Sequence, residues 1–318
     1  MRPETRSTAV VLVAGSANVD FVVRAARIPR PGETILGGDL NVVPGGKGAN
    51  QAVAAARAGG VATAMLLAVG QDDLAPLLTA SLEKAGVRLH LRQSQRATGA
   101  ALITVSDDAE NAITVAPGAN GDLAAEDLPD LAGIAWIVLQ LETPIATVQA
   151  YAAAARSHGV EVMLNAAPAQ ALPASLLSMI DLLVVNEDEL SALVGDDGTI
   201  ADRLSRTGVA TSVVTLGGRG ACAHADGAIR LQPAFAVTPI DTTAAGDTFC
   251  GTLAAGLAEG RDLPSALAGA AAAAALATTR AGAQASIPTR AEVDAFLSEP
   301  RHANASGLAA YCGIAQAQ

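Results

Sequence analysis

The chain reads as an α/β protein with a mostly parallel sheet flanked by helices and a small antiparallel sheet beside it. Three observations predict this. Apolar runs of strand length recur at Val10–Ala14, Ala62–Val69, Trp136–Leu141, Glu161–Leu164, Leu182–Val185 and Ser212–Leu216. Between them lie stretches of helical spacing such as Pro76–Ala85, Ile145–Ser157 and Glu187–Leu193. Strands that alternate with helices build a parallel sheet covered on both faces, in Rossmann-like fashion. Two segments break that rhythm. Val22–Val43 and Thr98–Val115 alternate apolar and polar residues around hairpin-type turns such as Ser106-Asp107-Asp108. They predict a small separate antiparallel sheet drawn from about 16–44 and 98–117. With 318 residues, 51% of them hydrophobic, the chain can bury one large core, and residues 1–298 are assigned to a single domain. Residues 299–318, rich in Ala, Gly and Gln, are expected to form a mobile or loosely docked tail.

Composition narrows the partners. A net charge of −11 argues against general nucleic-acid binding, which needs clustered Lys and Arg to neutralise phosphates. It does not exclude ATP, because a local cradle can be positive on an acidic protein. Aromatics make up only 2% of a chain rich in Ala, so helices should pack closely through small side chains. Cys222, Cys250 and Cys312 are widely spaced and form no zinc pattern with the histidines, so a reduced, cytoplasmic protein is expected. No run is long enough for a membrane helix. Leu267–Ala277 is too short and mostly alanine. The short N-terminal apolar run meets Asp20, which speaks against a secretory signal.

Three glycine- and Asx-rich clusters carry the chemistry. Asp241-Thr242-Thr243-Ala244-Ala245-Gly246-Asp247-Thr248-Phe249 opens a helix whose Phe249, Leu253 and Leu257 recur at helical spacing. A helix start offers unpaired N–H groups and the positive end of a dipole, so the backbone of Ala244, Ala245 and Gly246 can cradle an anion. Asp247 sets a carboxylate beside it, the combination that phosphoryl transfer to an alcohol needs. An acidic residue in a first helical turn is also common for purely local reasons. Upstream, Val43-Pro44-Gly45-Gly46-Lys47-Gly48-Ala49-Asn50-Gln51 precedes an Ala-rich helical run. Lys47 is followed by Gly48 rather than Ser or Thr, so this is not a Walker A loop. Lys47 and Asn50 can donate to hydroxyls or phosphate oxygens. The third cluster, Gly15-Ser16-Ala17-Asn18-Val19-Asp20, follows the first strand, where open α/β sheets bind ligands. Asn18 and Asp20 suit vicinal hydroxyls, although Asx turn chemistry alone also explains them.

Taken in this order, the clusters resemble the ribokinase-type (PfkB) carbohydrate kinase family from about Val10 to Leu297. Leu139-Gln140-Leu141-Glu142, Asn165-Ala166-Ala167-Pro168, Val185-Asn186-Glu187-Asp188-Glu189 and Thr215-Leu216-Gly217-Gly218-Arg219-Gly220 fall in family order between them.

The resemblance implies ATP-dependent phosphorylation of a small sugar, D-ribose at its 5-hydroxyl. Asn18, Asp20, Gly46, Lys47, Gly48, Asn50 and Glu142 match the sugar-contacting positions, and Asp247 matches the catalytic base. Held ionised by the helix dipole, that base is expected to be weak. Thr215, Leu216, Gly217, Gly218, Arg219 and Gly220, with Asn186 and Gly246, would approach the nucleotide. Asn186 and Glu189 match an Asn-x-x-Glu motif linked to Mg2+, reached through water, although the spacing also makes a capping box. Asp241, Thr243, Ala277, Arg280, Gly282 and Ser286 match a loop pair that binds K+ through oxygens. Near Ala271, where the family tends to place a polar or imidazole group beside adenine, this chain has only methyl groups. The resemblance also implies that the small antiparallel sheet is a lid over the sugar and the contact of a homodimer. Other acceptors in the family are deoxyribose, nucleosides, fructose and ketodeoxy sugar acids. A non-catalytic sugar-binding protein on the same fold is the alternative of a different class.

Overall fold

The protein is described here by a computed structural model covering residues 10–108, 110–299 and 307–314. The strands in chain order are β1 (Val10–Ala14), β2 (Asn18–Arg24), β3 (Leu40–Gly45), β4 (Ala62–Val69), β5 (Arg88–Gln93), β6 (Gly99–Val105), β7 (Asn111–Ala116), β8 (Ile134–Leu139), β9 (Glu161–Asn165), β10 (Leu182–Asn186), β11 (Thr211–Thr215), β12 (Gly220–Ala225) and β13 (Ala228–Pro233). The helices are α1 (Lys47–Arg57), α2 (Ala75–Lys84), α3 (Ile145–Ser157), α4 (Ala174–Leu177), α5 (Glu187–Val194), α6 (Ile200–Arg206), α7 (Ala245–Ala258), α8 (Leu263–Thr278), α9 (Arg290–Ser298) and α10 (Leu308–Tyr311).

The main sheet runs β13-β12-β11-β10-β9-β8-β1-β4-β5. From β11 to β5 every pairing is parallel, and β12 and β13 add an antiparallel hairpin at one edge. Side chains alternate across each strand, so Val11 and Val13 of β1 enter one core with α1, α7 and α8, while Leu12 and Ala14 enter the other with α3. Small side chains let the helices approach closely. A Cβ on Gly251 of α7 would lie 2.2 Å from the Gln51 carbonyl oxygen of α1.

The sheet grows outward from β1 in opposite directions, through β4 and β5 on one side and from β8 onward on the other. This is the topological switch point of an open α/β sheet, and it opens a crevice beyond the carboxyl ends of β1 and β8.

The second sheet, β3-β2-β6-β7, is built from the two segments expected to form the lid. Its outer pairings are antiparallel and its central one, β2 with β6, is parallel. Other expectations need adjustment. β8 ends at Leu139 rather than Leu141, because Gln140 and Leu141 leave the ladder, the Leu141 amide bonding the Ala167 carbonyl. The β12–β13 hairpin was not anticipated. Part of the expected tail, residues 307–314, packs on the body: Leu308 and Cys312 are buried, and the Cys312 carbonyl accepts from Ala201 N–H of α6. Apolar burial therefore docks this part of a segment whose composition suggested a mobile or loosely docked tail; residues 300–306 and 315–318 lie outside the described residues. The same packing brings Cys312 against Cys222 as free, hydrogen-bonded thiols.

Candidate active site

The loops after β1 and β8 meet at the switch point. Ser16 Oγ donates to Glu142 at 2.6 Å, and the same carboxylate accepts the Lys47 amide at 3.2 Å. Gly48 N–H reaches Ser16 Oγ at 3.3 Å, closing the circuit between the start of α1 and the end of β1. Gly46 turns at φ 90°, and a Cβ there would lie 2.6 Å from the Asn18 amide nitrogen, so only glycine fits. Asn18 is oriented by Asn120, whose Nδ2 donates to its Oδ1 at 2.7 Å while Asn120 Oδ1 accepts from Ala17 N–H. Asp20 sits on β2 over this floor. Burial, then the neighbouring carboxylates of Glu142 and Asp247, push its carboxyl up to about 7 despite the opposing pull of Lys47.

Asp247 lies in the first turn of α7, facing α1. Asn50 Nδ2 donates to its Oδ2 at 2.9 Å, and Gln51 Nε2 donates to its Oδ1 at 3.0 Å. Gln51 Nε2 also lies 3.0 Å from Asn165 Oδ1, and Gln51 Oε1 accepts from Gln140 Nε2 at 2.7 Å. This chain of amides under the carboxylate was not anticipated. Asn50 Oδ1 is buried with no partner, an acceptor free for a ligand hydroxyl. The expected weakness of Asp247 as a base is corrected. Burial raises its carboxyl above the ordinary range, and Lys47, Asn50 and Gln51 oppose that without cancelling it. Tertiary desolvation outweighs the helix dipole. Burial acts to lower the Lys47 ammonium, but Asp247, Glu142 and Glu189 outweigh it and leave it raised.

Beside Asp247 at the start of α7, and in the turn after β11, the groups are mostly backbone. Ala244 caps α7 in the left-handed region at φ 59°, a conformation of order 1–3 kcal/mol above the ordinary wells for a residue with a Cβ. One expectation is corrected: Ala245 N–H already donates to the Thr242 carbonyl at 3.2 Å, so it is no free member of the cradle. The amides of Ala244 and Gly246 have no acceptor among the described residues, and the position of a Cβ on Gly246 is open space. Thr215 ends β11, Leu216 is buried, and Gly217–Arg219 form one turn of 3-10 helix that Gly220 closes by accepting the Leu216 amide at 2.7 Å. Arg219 lies 4.2 Å from the Tyr311 ring centroid, and the Tyr311 hydroxyl bonds Glu187.

Asn186 and Glu189 make the reciprocal capping box of α5, each bond 2.8 Å. Glu189 is buried, which raises its carboxyl, and it also feels Lys47 and Asp247. Asp241 bridges the other two loops, accepting Thr243 N–H and Gly282 N–H at 2.9 Å each. Burial would raise its carboxyl, but these bonds hold it below the usual carboxylate range. Arg280 turns its guanidinium away to Glu292 at 2.6 Å, Ala277 is buried in α8, and Ser286 Oγ donates to the Ala283 carbonyl at 2.8 Å. Among the described residues, no cluster of three or more His, Cys, Asp or Glu could hold a metal, and no helix is long and apolar enough to cross a membrane.

A crevice at a sheet switch point, with a half-buried carboxylate and open amides side by side at the start of one helix, defines a site for moving an anionic group onto a polar acceptor. The model of the pfkB family of carbohydrate kinases matches residues 8–290. The chain is 39% identical over 307 residues to the ribokinase of Haemophilus influenzae, covering 92% of this chain and 99% of that protein. It is 37% identical over 294 residues to the ribokinase of Bacillus subtilis, covering 91% and 99%. Among solved structures it is similar to ribokinase from Thermotoga maritima, with a TM-score of 0.84 at 36% identity over 92% of this chain and all (100%) of that one. Arabidopsis thaliana ribokinase, complexed with ribose and ATP, superposes with a TM-score of 0.82 at 31% identity over 92% of this chain and 100% of its own. The chain belongs to the pfkB family of carbohydrate kinases.

Proposed function

We propose that this protein transfers the γ-phosphoryl group of ATP to the 5-hydroxyl of D-ribose, giving ribose 5-phosphate. Asp247 carries the reading: a carboxylate of raised basicity, hydrogen-bonded to two side-chain amides, beside unpaired backbone N–H groups. Asn18, Asp20, Lys47, Asn50 and Glu142, with the backbone at Gly46 and Gly48, hold the sugar. Asp247 accepts the 5-hydroxyl proton as that oxygen attacks the γ-phosphorus and the bond to ADP breaks. Because the transition state is loose, alignment and charge stabilisation provide most of the acceleration. The amides of Ala244 and Gly246 hold the developing charge, and Thr215–Gly220 with Asn186 border the nucleotide.

A divalent cation bound with ATP neutralises phosphate charge. Asn186 and Glu189 would hold Mg2+ through water, which fits a buried carboxylate that senses Lys47 and Asp247. Asp241 with oxygens of Thr243, Ala277, Arg280, Gly282 and Ser286 would hold K+ and fix the cradle. Asp241 already ties the two loops together, which fits that role. K+ should give at least several-fold more activity than Na+ or tetramethylammonium, and equal rates in all three would remove the site. Leu40, Val42 and Leu102 are exposed on the lid face opposite Asp20, which supports a homodimer through the lid. Three buried free thiols fit a cytoplasmic setting.

A coupled assay for ADP across a sugar panel tests the function. D-ribose should be turned over and 5-deoxyribose should not. A tenfold preference in kcat/KM for deoxyribose, fructose or a nucleoside would overturn the assignment, as would sugar binding without ADP formation.

A further inference from the structure

Between α1, α2, β3 and the loop after α8, whose Gly282 also lines it, lies a second cleft, of about 470 Å³, within the range of small-molecule sites. Val43 and Pro44 of β3 and Val53 of α1 give it an apolar wall. Its polar groups are Arg57, Ser81, Lys84 and Gln284, and no acidic residue lines it. In a chain of net charge −11, two cations without a facing carboxylate form a distinctive local field. Among the described residues, exposed Lys84 makes no ion pair, and the only hydrogen bond of the Arg57 guanidinium is to the Gln284 carbonyl at 3.3 Å. Gln284 is 5% exposed, and its Oε1 accepts from Ser81 at 2.6 Å. Its Nε2, though buried, has no partner. An unpaired buried donor costs about 1–3 kcal/mol, so it is poised for an acceptor from outside the chain.

We propose that this cleft is a second ligand site, separate from the site of phosphoryl transfer, for a small phosphate monoester with a compact apolar body. Two cations match the charge of a phosphate dianion, and a guanidinium suits its geometry. The Gln284 amide supplies a neutral donor, and the valine and proline wall takes the apolar body. Arg57 stands ten positions beyond Lys47 on α1, roughly 15 Å along the axis, too far for one small ligand to use both. The walls nevertheless reach the site. Val43 and Pro44 lead into Gly45-Gly46-Lys47, and the loop carrying Gln284 is bonded to Asp241 through Gly282. An occupant would therefore bear on the lid strand and on the loop beneath α7 together.

The test is calorimetric titration of phenyl phosphate into the full chain, with the first site filled by ribose and a non-hydrolysable ATP analogue. Phenyl phosphate should bind the wild type, and phenol should not. Lys84→Gln and Arg57→Gln should each weaken binding at least tenfold, with melting temperatures checking the fold. Lys84→Gln alters an exposed side chain and keeps the test decisive should the Arg57 variant fail to fold. Activity of Lys84→Gln without the probe should match the wild type. No binding to the wild type, or equal affinity in the wild type and Lys84→Gln, would overturn the proposal. The outcome is independent of the sugar assigned above: a failed titration leaves ribose phosphorylation standing, and a different acceptor leaves this cleft standing.

Discussion

The two walls of the cleft are made of different material. On the α1 side, Asp20, Asn50 and the amide chain behind Asp247 are buried polar side chains whose charges are incompletely balanced. On the opposite side, Ala244, Gly246 and Gly217–Gly220 present backbone, with the strain concentrated at a left-handed alanine. A polyol needs directional donors and acceptors that discriminate one hydroxyl from another. Phosphates need only close amides and a dipole. Substitutions on the first wall should therefore change chemistry and pH behaviour, and those on the second should change nucleotide affinity.

The sharpest break in that contrast is Asp247→Asn. It keeps the shape and removes the proposed proton acceptor, so kcat should fall by about 10³ or more, with sugar affinity changed only a few-fold. Turnover within tenfold of the wild type, measured by ADP release, would take the chemistry away from Asp247.

Asp20→Asn comes next. A carboxyl raised from 3.8 to about 7 means that the native state binds more protons than the unfolded chain between those values, so stability falls as pH rises through that window. At 1.36 kcal/mol per pH unit, the displacement is worth about 4 kcal/mol. Asp20→Asn should melt higher than the wild type at pH 8 and much less so at pH 4, while its KM for sugar rises by about 10-fold or more. A hydroxyl donating to Asp20 favours the ionised form, so sugar binding near pH 7 should release protons. Calorimetry in buffers of different ionisation heat reads that release, and buffer-independent heats would show that Asp20 does not meet the sugar.

Gln51→Met tests the layer beneath. It retains length and removes one donor to Asp247, a bond that holds the carboxyl down. The acid limb of the kcat profile should move to higher pH, with a loss of roughly tenfold below it and little loss above. A uniform loss at every pH would instead mean that Gln51 only fills space.

Much of this was legible because it is local. The strand and helix alternation, the lid segments and the Gly46, Asn50 and Asp247 motifs each lie within short windows. What escaped depends on distant parts of the chain. Gln51 and Gln140 are 89 residues apart, and nothing near either marks a buried amide pair. The basicity of Asp247 follows from tertiary burial, which no local window of the helix reveals. The β12–β13 hairpin is a different kind of omission. Asp226-Gly227, at φ 52° and 70°, is a standard two-residue hairpin turn, and its signal was in the sequence. Leu308 and Cys312 give too short an apolar pattern to distinguish a docked turn from a tail.

That docked turn supplies the gentlest probe of the backbone wall. Tyr311 covers the Arg219 guanidinium, and its hydroxyl bonds Glu187 at the start of α5. Exposed cation–π pairs are worth about 0.5–1 kcal/mol. Tyr311→Ala should therefore loosen the Gly217–Gly220 turn rather than dismantle it, and KM for ATP should rise about two- to fivefold. KM for the sugar should stay unchanged, because the described partners of Tyr311, Arg219 and Glu187, lie in the turn after β11 and at the start of α5. Tyr311→Phe retains the ring over Arg219 and loses only the exposed hydroxyl bond, so it should lie within twofold of the wild type. If the Ala variant instead weakened sugar and nucleotide equally, the two walls would be energetically one unit, and the division between side-chain and backbone recognition would fail.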